Sequence, residues 1–263
     1  MGDGSMELRD LGDTGIKISP LGLGTVKFGR NQGVKYPSGF EIPEEGDLAS
    51  LLSLAKDLGI NLLDTAPAYG TSEERLGRLL HDQRPDWVIV GKAGEEFENG
   101  ASVYNFTPEH FEMSLQRSLK RLGTDYIDVL LLHSDGSDLE NLSDELITTM
   151  QNFKQRGLVR AIGASTKTPE GGIRALEFMD VVMATYTPAY TQEKPVLDYA
   201  ATHNKGVLLK KVLSSGHTAD VEAAFAHAFA HPGTSAAIIG TINPAHLQEN
   251  VRLIKKALAE SPA

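Results

Sequence analysis

Cysteine is absent from the 263 residues, which removes disulfides, thiolate nucleophiles and Cys-ligated metal at a stroke. Long basic runs are absent too, and the net charge is −10, so nucleic acid and anionic membranes are poor partners. No apolar stretch approaches the length of a membrane span, and no secretory signal pattern is present. Together these absences favour the cytoplasm, with no nucleic-acid or membrane partner and no metal expected. Met-Gly-Asp-Gly-Ser at 1–5, just ahead of a second Met at 6, reads as an added leader, which leaves 6–263 as the fold.

What is present is the composition of a globular protein, 41% hydrophobic and 23% charged, at a length that suits one large α/β domain. Glu7 to Ser19 reads as a hairpin, with Leu8 and Leu11 facing Ile16 and Ile18 across Gly12-Asp13-Thr14-Gly15. From Leu21 onward, short continuous apolar runs alternate with helical periodicity. The runs begin near Leu21, Ile60, Trp87, Ile127, Val159, Val181, Gly206 and Ala236. Ser72 is a candidate N-cap, and Thr107-Pro108 opens a helix. Asn99 to Asn105 reads as a loop. Strands of this kind are buried on both faces of a parallel sheet. Eight β/α units in one chain predict a closed (β/α)8 barrel of the TIM type, in a single domain. A doubly wound open sheet uses the same units. However, Gly22, Gly24 and Gly29 lack the dinucleotide spacing that such a sheet carries after its first strand.

In a barrel the C-terminal strand ends carry the chemistry. The second, third and fourth predicted strands end on Asp64, Lys92 and His133, and Tyr69 follows in the loop after the second. Each has a bland explanation taken alone; convergence of all four on one rim does not. A phenol is a weak acid, with a pKa of about 10. An adjacent ammonium lowers it, and a carboxylate holds that ammonium. The pattern therefore predicts Tyr69 as general acid, Lys92 as its activator, Asp64 as the partner of Lys92, and His133 as the group orienting a substrate carbonyl. None of the four can supply reducing equivalents, so a redox cofactor is required.

Over nearly its whole length the chain resembles the aldo-keto reductases. The resemblance is carried by Gly24-Thr25 and by Asn-Leu-Leu-Asp-Thr-Ala-Pro-Ala-Tyr-Gly at 61–70. It continues through Gly91-Lys92, Arg-Ser-Leu-Lys-Arg-Leu at 117–122, Tyr126-Ile127-Asp128 with Leu132-His133, and Arg-Ala-Ile-Gly-Ala-Ser at 160–165. It implies a (β/α)8 barrel whose N-terminal hairpin closes the bottom, and a tetrad of Asp64, Tyr69, Lys92 and His133. It also implies a nicotinamide cofactor bound without a Rossmann fold, NADPH ahead of NADH. Cofactor contacts would come from Gly24, Thr25, Asp64, Ser165, Thr166, Lys210, Lys211, Leu213, Ser215, Gly216, Gly240, Thr241, His246, Glu249 and Asn250. The loop from Leu213 to Gly216 would offer backbone N–H groups to the pyrophosphate, and the helix opened by Asn243-Pro244 would receive the adenosine phosphate. Substrate would meet Val26, Phe28, Tyr69, His133 and Tyr186, with Tyr36, Phe97, Tyr104 and Phe106 as further wall candidates.

Some positions depart from the family pattern. Thr166 replaces the usual Asn, Met183 the usual Gln, and Lys210 the frequent stacking aromatic. At the adenosine end, His246 stands for the usual Arg and Gly240 for a basic residue. Two readings of Lys210 and Lys211 stay open: point charges for cofactor phosphate, or solvated rim lysines. The chain stops soon after its last helix, so an open site with loose specificity is expected. The function implied is reduction of a small aldehyde or ketone, or oxidation of the alcohol, by a monomer or small homo-oligomer. Two rival classes are a nicotinamide-binding regulatory or sensor subunit, like the potassium-channel β-subunits, and a Schiff-base aldolase using Lys92.

Overall fold

The computed structural model describes residues 5–260; residues 1–4, which belong to the expected leader, and residues 261–263 lie outside the described part. Eight parallel strands close a barrel: Leu21–Gly24, Leu62–Asp64, Val88–Ala93, Ile127–His133, Val159–Ser165, Val181–Thr185, Gly206–Lys210 and Ala236–Gly240. They follow chain order, and the eighth returns to the first, with Gly240 beside Gly24. Helices such as Glu45–Asp57 and Pro108–Leu122 lie between successive strands, Pro244–Glu260 follows the eighth, and together they cover the outside. Among the described residues no helix is long and apolar enough to cross a membrane.

Side chains on a strand alternate between faces, so each barrel strand feeds two cores. Leu62, Val88, Val90, Val129, Leu131, Val181, Met183 and Leu208 fill the interior. Leu63, Ile89, Leu130, Leu132, Val182 and Leu209 pack outward against the helices. The same period of two sets the rim. Asp64 is the next inward position above Leu62, Lys92 above Val90, His133 above Leu131, and Lys210 above Leu208. A continuous apolar run that ends on one polar residue therefore aims that residue over the packed interior.

The bottom of the barrel is closed by the antiparallel pair Arg9–Asp10 and Lys17–Ile18. Leu11, Ile16 and Ile18 are fully buried and join the interior cluster. Gly206 makes room for this plug, because a Cβ there would stand 2.6 Å from Leu11 Cδ1. Leu11→Ala removes three carbons from a site with no exposure and should cost about 3 kcal/mol of unfolding free energy. Urea denaturation checks this; an unchanged midpoint would mean that the plug carries no load.

Two local expectations are corrected. Ser72 is the first residue of helix Ser72–Leu79, not its cap; Thr71 holds the cap position, and the Ser72 hydroxyl is used elsewhere. The segment after the third barrel strand is not a plain loop. It forms an antiparallel hairpin, Glu95–Glu98 with Ala101–Tyr104. Its turn residues Asn99 and Gly100 both have positive φ, 51° and 81°, as a two-residue hairpin turn requires.

Candidate active site

The second strand ends on Asp64, which is 4% exposed, and the third presents Lys92, which is 2% exposed. The Lys92 ammonium donates to Asp64 Oδ1 at 2.5 Å and to the Thr65 carbonyl at 3.1 Å. It also lies 4.9 Å from the centroid of the Tyr69 ring. The His133 ring meets Tyr69 edge to face, with centroids 6.3 Å apart. The four residues expected from the sequence thus share one wall of a single cavity of about 1150 Å3.

Tyr69 is held by close approach of the first two rim loops. Gly70 has φ 59°, and a Cβ there would stand 2.0 Å from the Gly29 carbonyl oxygen, so only glycine lets the loops meet. Arg30 ties them together. Its Nη1 donates to the Ala68 carbonyl at 3.0 Å, while Nε and Nη2 donate to the Gln32 and Gly33 carbonyls at 2.8 and 3.0 Å. Behind Asp64, three buried hydroxyls meet. Ser72 Oγ lies 2.7 Å from Thr25 Oγ1 and 2.9 Å from Thr65 Oγ1, and Thr25 donates to the Asp64 carbonyl at 2.8 Å.

The electrostatics differ from expectation at one group. Burial, and then the negative charges of Asp64 and Glu95, push the Tyr69 phenol well above its ordinary value. The expected lowering by Lys92 is not found, because that ammonium is aimed at Asp64 and the Thr65 carbonyl. Burial also raises the Asp64 carboxyl, opposed by Lys92. His133 is pushed well below the usual imidazole range by burial and then by Lys92 and Lys210, so its ring is neutral at pH 7.

A groove runs from the tetrad along the seventh and eighth strand ends. Gly24, Ser165, Met183, Lys210, Lys211, Leu213, Ser215, Gly216, Gly240, Thr241, His246, Glu249 and Asn250 line the same cavity. Thr25 and Thr166 do not. Thr25 is turned into the hydroxyl cluster, and Thr166 lines a smaller adjoining cavity of about 520 Å3, where its Oγ1 has no hydrogen-bond partner. Lys210 is not a rim lysine in open solvent. Its ammonium donates to Ser165 Oγ at 2.9 Å and the Thr166 carbonyl at 2.7 Å, and burial lowers its pKa to about 8. Lys211 is exposed.

The loop after the seventh strand is also less free than expected. Ser214 and Gly216 donate their N–H groups to the Lys211 and Leu213 carbonyls, both at 2.8 Å, and are committed within the loop. Lys211, Ser214 and Ser215 nonetheless adopt left-handed backbone, φ 58°, 49° and 57°. Such strain in L-residues gathers at ligand sites. At the far end, Asn243 Oδ1 caps the last helix by accepting from Ala245 and His246 N–H. Arg252, not singled out from the sequence, lines this end and forks onto Glu249 at 2.8 and 2.7 Å.

Of the expected substrate contacts, Val26 lines the cavity with Tyr36 and Tyr104. Phe28 and Tyr186 do not. Phe28 has no exposure and packs in the outer core, and Tyr186 is buried against His227, ring centroids 4.4 Å apart. Phe97 lies beneath the Arg30 guanidinium at 3.6 Å, and Phe106 stacks on Tyr104. The sequence reading missed Glu95, whose Oε2 lies 3.0 Å from His133 Nδ1. Its signal was available in Asn99-Gly100, which marks the hairpin that carries it.

The profile of the aldo/keto reductase family matches residues 20–221. A crystal structure from Pseudomonas aeruginosa, assigned to the aldo-keto reductases, is 53% identical, covers 95% of both chains and superposes with a TM-score of 0.89. The uncharacterized oxidoreductase YqkF of Bacillus subtilis is 34% identical over 62% of this chain and 50% of its own length. The L-galactose dehydrogenase of Arabidopsis thaliana is 35% identical over 60% of this chain and 48% of its own. The chain thus spans about half the length of these two curated relatives. On the profile match and the near-complete superposition, this chain belongs to the aldo/keto reductase family.

Proposed function

We propose that the protein is a nicotinamide-dependent oxidoreductase that reduces small aldehydes or ketones, or oxidises the corresponding alcohols. The observation that carries this reading is the contact set of Asp64, Lys92, Tyr69 and His133 at the head of one long groove. Residues along the groove suit a dinucleotide. Ser165 and Lys210 supply donors near the tetrad, with the unpartnered Thr166 Oγ1 behind them. Lys211 and the strained loop from Leu213 to Gly216 suit the pyrophosphate. Gly240, Thr241 and the capped helix start suit the adenosine phosphate, with Glu249 and Asn250 beside the adenine. His246 and Arg252 both line that end, and Arg252, turned from Glu249, would meet the 2′-phosphate that distinguishes NADPH from NADH. When bound, the cofactor supplies the hydride.

The chain's own residues handle the proton and the geometry. The Tyr69 phenol keeps its proton through the neutral range and gives it to the carbonyl oxygen, or takes it back in the alcohol direction. Neutral His133 hydrogen-bonds that oxygen and fixes its approach. Asp64 and Lys92 form a closed pair beneath the phenol that keeps a positive charge against the ring.

The test is fluorescence titration with NADPH and NADH, followed by turnover of a panel of aldehydes. Absence of nicotinamide binding would sink the reading. The titration also carries a pH signature. Lys210 is charged below about pH 8 and neutral above it. An anionic dinucleotide therefore binds more tightly on the acid side, and affinity should fall about three- to tenfold between pH ~7 and pH ~9. Lys210→Arg keeps its charge and should flatten that dependence. An equal fall in both proteins would exclude Lys210 as its source.

A further inference from the structure

We infer that Glu95 sets the charge preference of the substrate. Its carboxylate selects carbonyl compounds with a hydroxyl near the carbonyl and turns away those with a carboxylate. The inference rests on the carbonyl-reduction reading above.

Glu95 opens the hairpin above the third strand and lines the same cavity as Tyr69 and His133. Gly94 before it has φ 115°, a backbone state side chains rarely adopt, and this bend delivers Glu95 to the wall. Ser102, across the hairpin, donates its hydroxyl to Glu95 Oε1 at 2.6 Å. That bond fixes one oxygen and leaves Oε2 facing the site, 3.0 Å from His133 Nδ1, with the side chain only 12% exposed. The His133 Nδ1 atom has no aligned hydrogen-bond partner, so the contact does not use up the carboxylate. Glu95 also helps hold the Tyr69 phenol protonated, which places its charge in the field of the reacting atoms.

The cations of the cavity have their hydrogen bonds elsewhere but keep their charge. Arg30 donates to the Ala68, Gln32 and Gly33 carbonyls and still acts on Glu95 through space. Lys92 is closed on Asp64, Lys210 donates to Ser165 and the Thr166 carbonyl, and Lys27 sits 4.0 Å over the Tyr36 ring. Lys35, Lys167 and Lys211 lie on the wall shared with the smaller cavity. A carbonyl oxygen seated at Tyr69 and His133 therefore has the Glu95 carboxylate as the acceptor beside its neighbouring carbons. A hydroxyl there donates to Oε2; a carboxylate is repelled, because like charges at short range in a partly dry site cost far more than in water.

The experiment compares kcat/KM of the wild type and Glu95→Gln for glyceraldehyde, butanal and succinic semialdehyde. The amide keeps the shape and can still accept from Ser102. Relative to butanal, glyceraldehyde should lose about tenfold and succinic semialdehyde gain about tenfold. Glu95→Asp, which keeps the charge, should retain the wild-type order of the three. Equal effects of Glu95→Gln on all three substrates would overturn the assignment, as would a wild type that prefers succinic semialdehyde to glyceraldehyde. A wild type inert toward all three would instead overturn the reaction itself, and the assignment with it.

Discussion

Tyr69→Phe should lower kcat for aldehyde reduction by about a thousandfold while leaving cofactor affinity within about twofold. The substitution removes one oxygen and keeps the ring that meets His133 edge to face and lies 4.9 Å from the Lys92 ammonium. Packing is therefore preserved and only the proton is lost. The chain offers no easy substitute. His133 is held neutral by burial and by Lys92 and Lys210, so it carries no spare proton at pH 7. Lys92 is closed on Asp64. Loss of a positioned general acid removes about two to four decades of rate, and a site with no deputy belongs toward the upper half of that range. Stopped-flow single turnover separates this from slow product release. A variant that keeps more than about a tenth of the wild-type rate would exclude Tyr69 as the acid.

Lys92→Met should be the most destabilising change at the site, at about 3–5 kcal/mol, or a fall of about 10 °C in Tm. It leaves Asp64, 4% exposed, with its carboxylate unpaired in the wall. The cost arises from the abandoned charge more than from the lost bond, so the double variant Asp64→Asn with Lys92→Met should recover most of the stability. The pH dependence has a definite sign. Burial raises the Asp64 pKa in the folded state, and without Lys92 nothing of that strength opposes it. A carboxyl whose folded pKa is raised loses stability as pH rises from its unfolded value through its folded one. The deficit of the single variant should therefore narrow in acid and be full near neutrality. Thermal melts across pH would show it, and a deficit independent of pH would mean that the damage is steric.

The contrast between these residues and those misread shows what a sequence exposes. The run from Ile127 to His133 was legible because a doubly buried strand must be apolar until it reaches the rim, where one polar side chain marks the end. The strands from Val159 and Val181 were legible for the same reason. The barrel and the strand-end positions of Asp64, Lys92 and His133 follow from that rule. Phe28 and Tyr186 were misread because an aromatic near a rim has two fates, wall or core, and composition cannot separate them. The hairpin carrying Glu95 has its turn signal in Asn99-Gly100 but no strand signal beside it, because Ala101–Tyr104 is exposed along its whole length and shows no alternation. The raised Tyr69 pKa could not be read at all. It comes from burial and then from the charges of Asp64 and Glu95, and the spacing of these residues in the chain says nothing of how deeply the phenol is buried.

The buried cluster of Thr25, Ser72 and Thr65 has a consequence for the order of its protons. A hydroxyl has one hydrogen to give. The Thr25 hydrogen goes to the Asp64 carbonyl, which can only accept. Ser72 must then donate to Thr25, and Thr65 must donate to Ser72. One carbonyl oxygen thus sets the direction of every rotor in the string, and the reversed arrangement is forbidden. Three dipoles that could have turned independently are frozen head to tail toward the backbone of the residue that holds Lys92. This polarisation is in place before any ligand arrives, so it demands no reorganisation when charge shifts at the phenol.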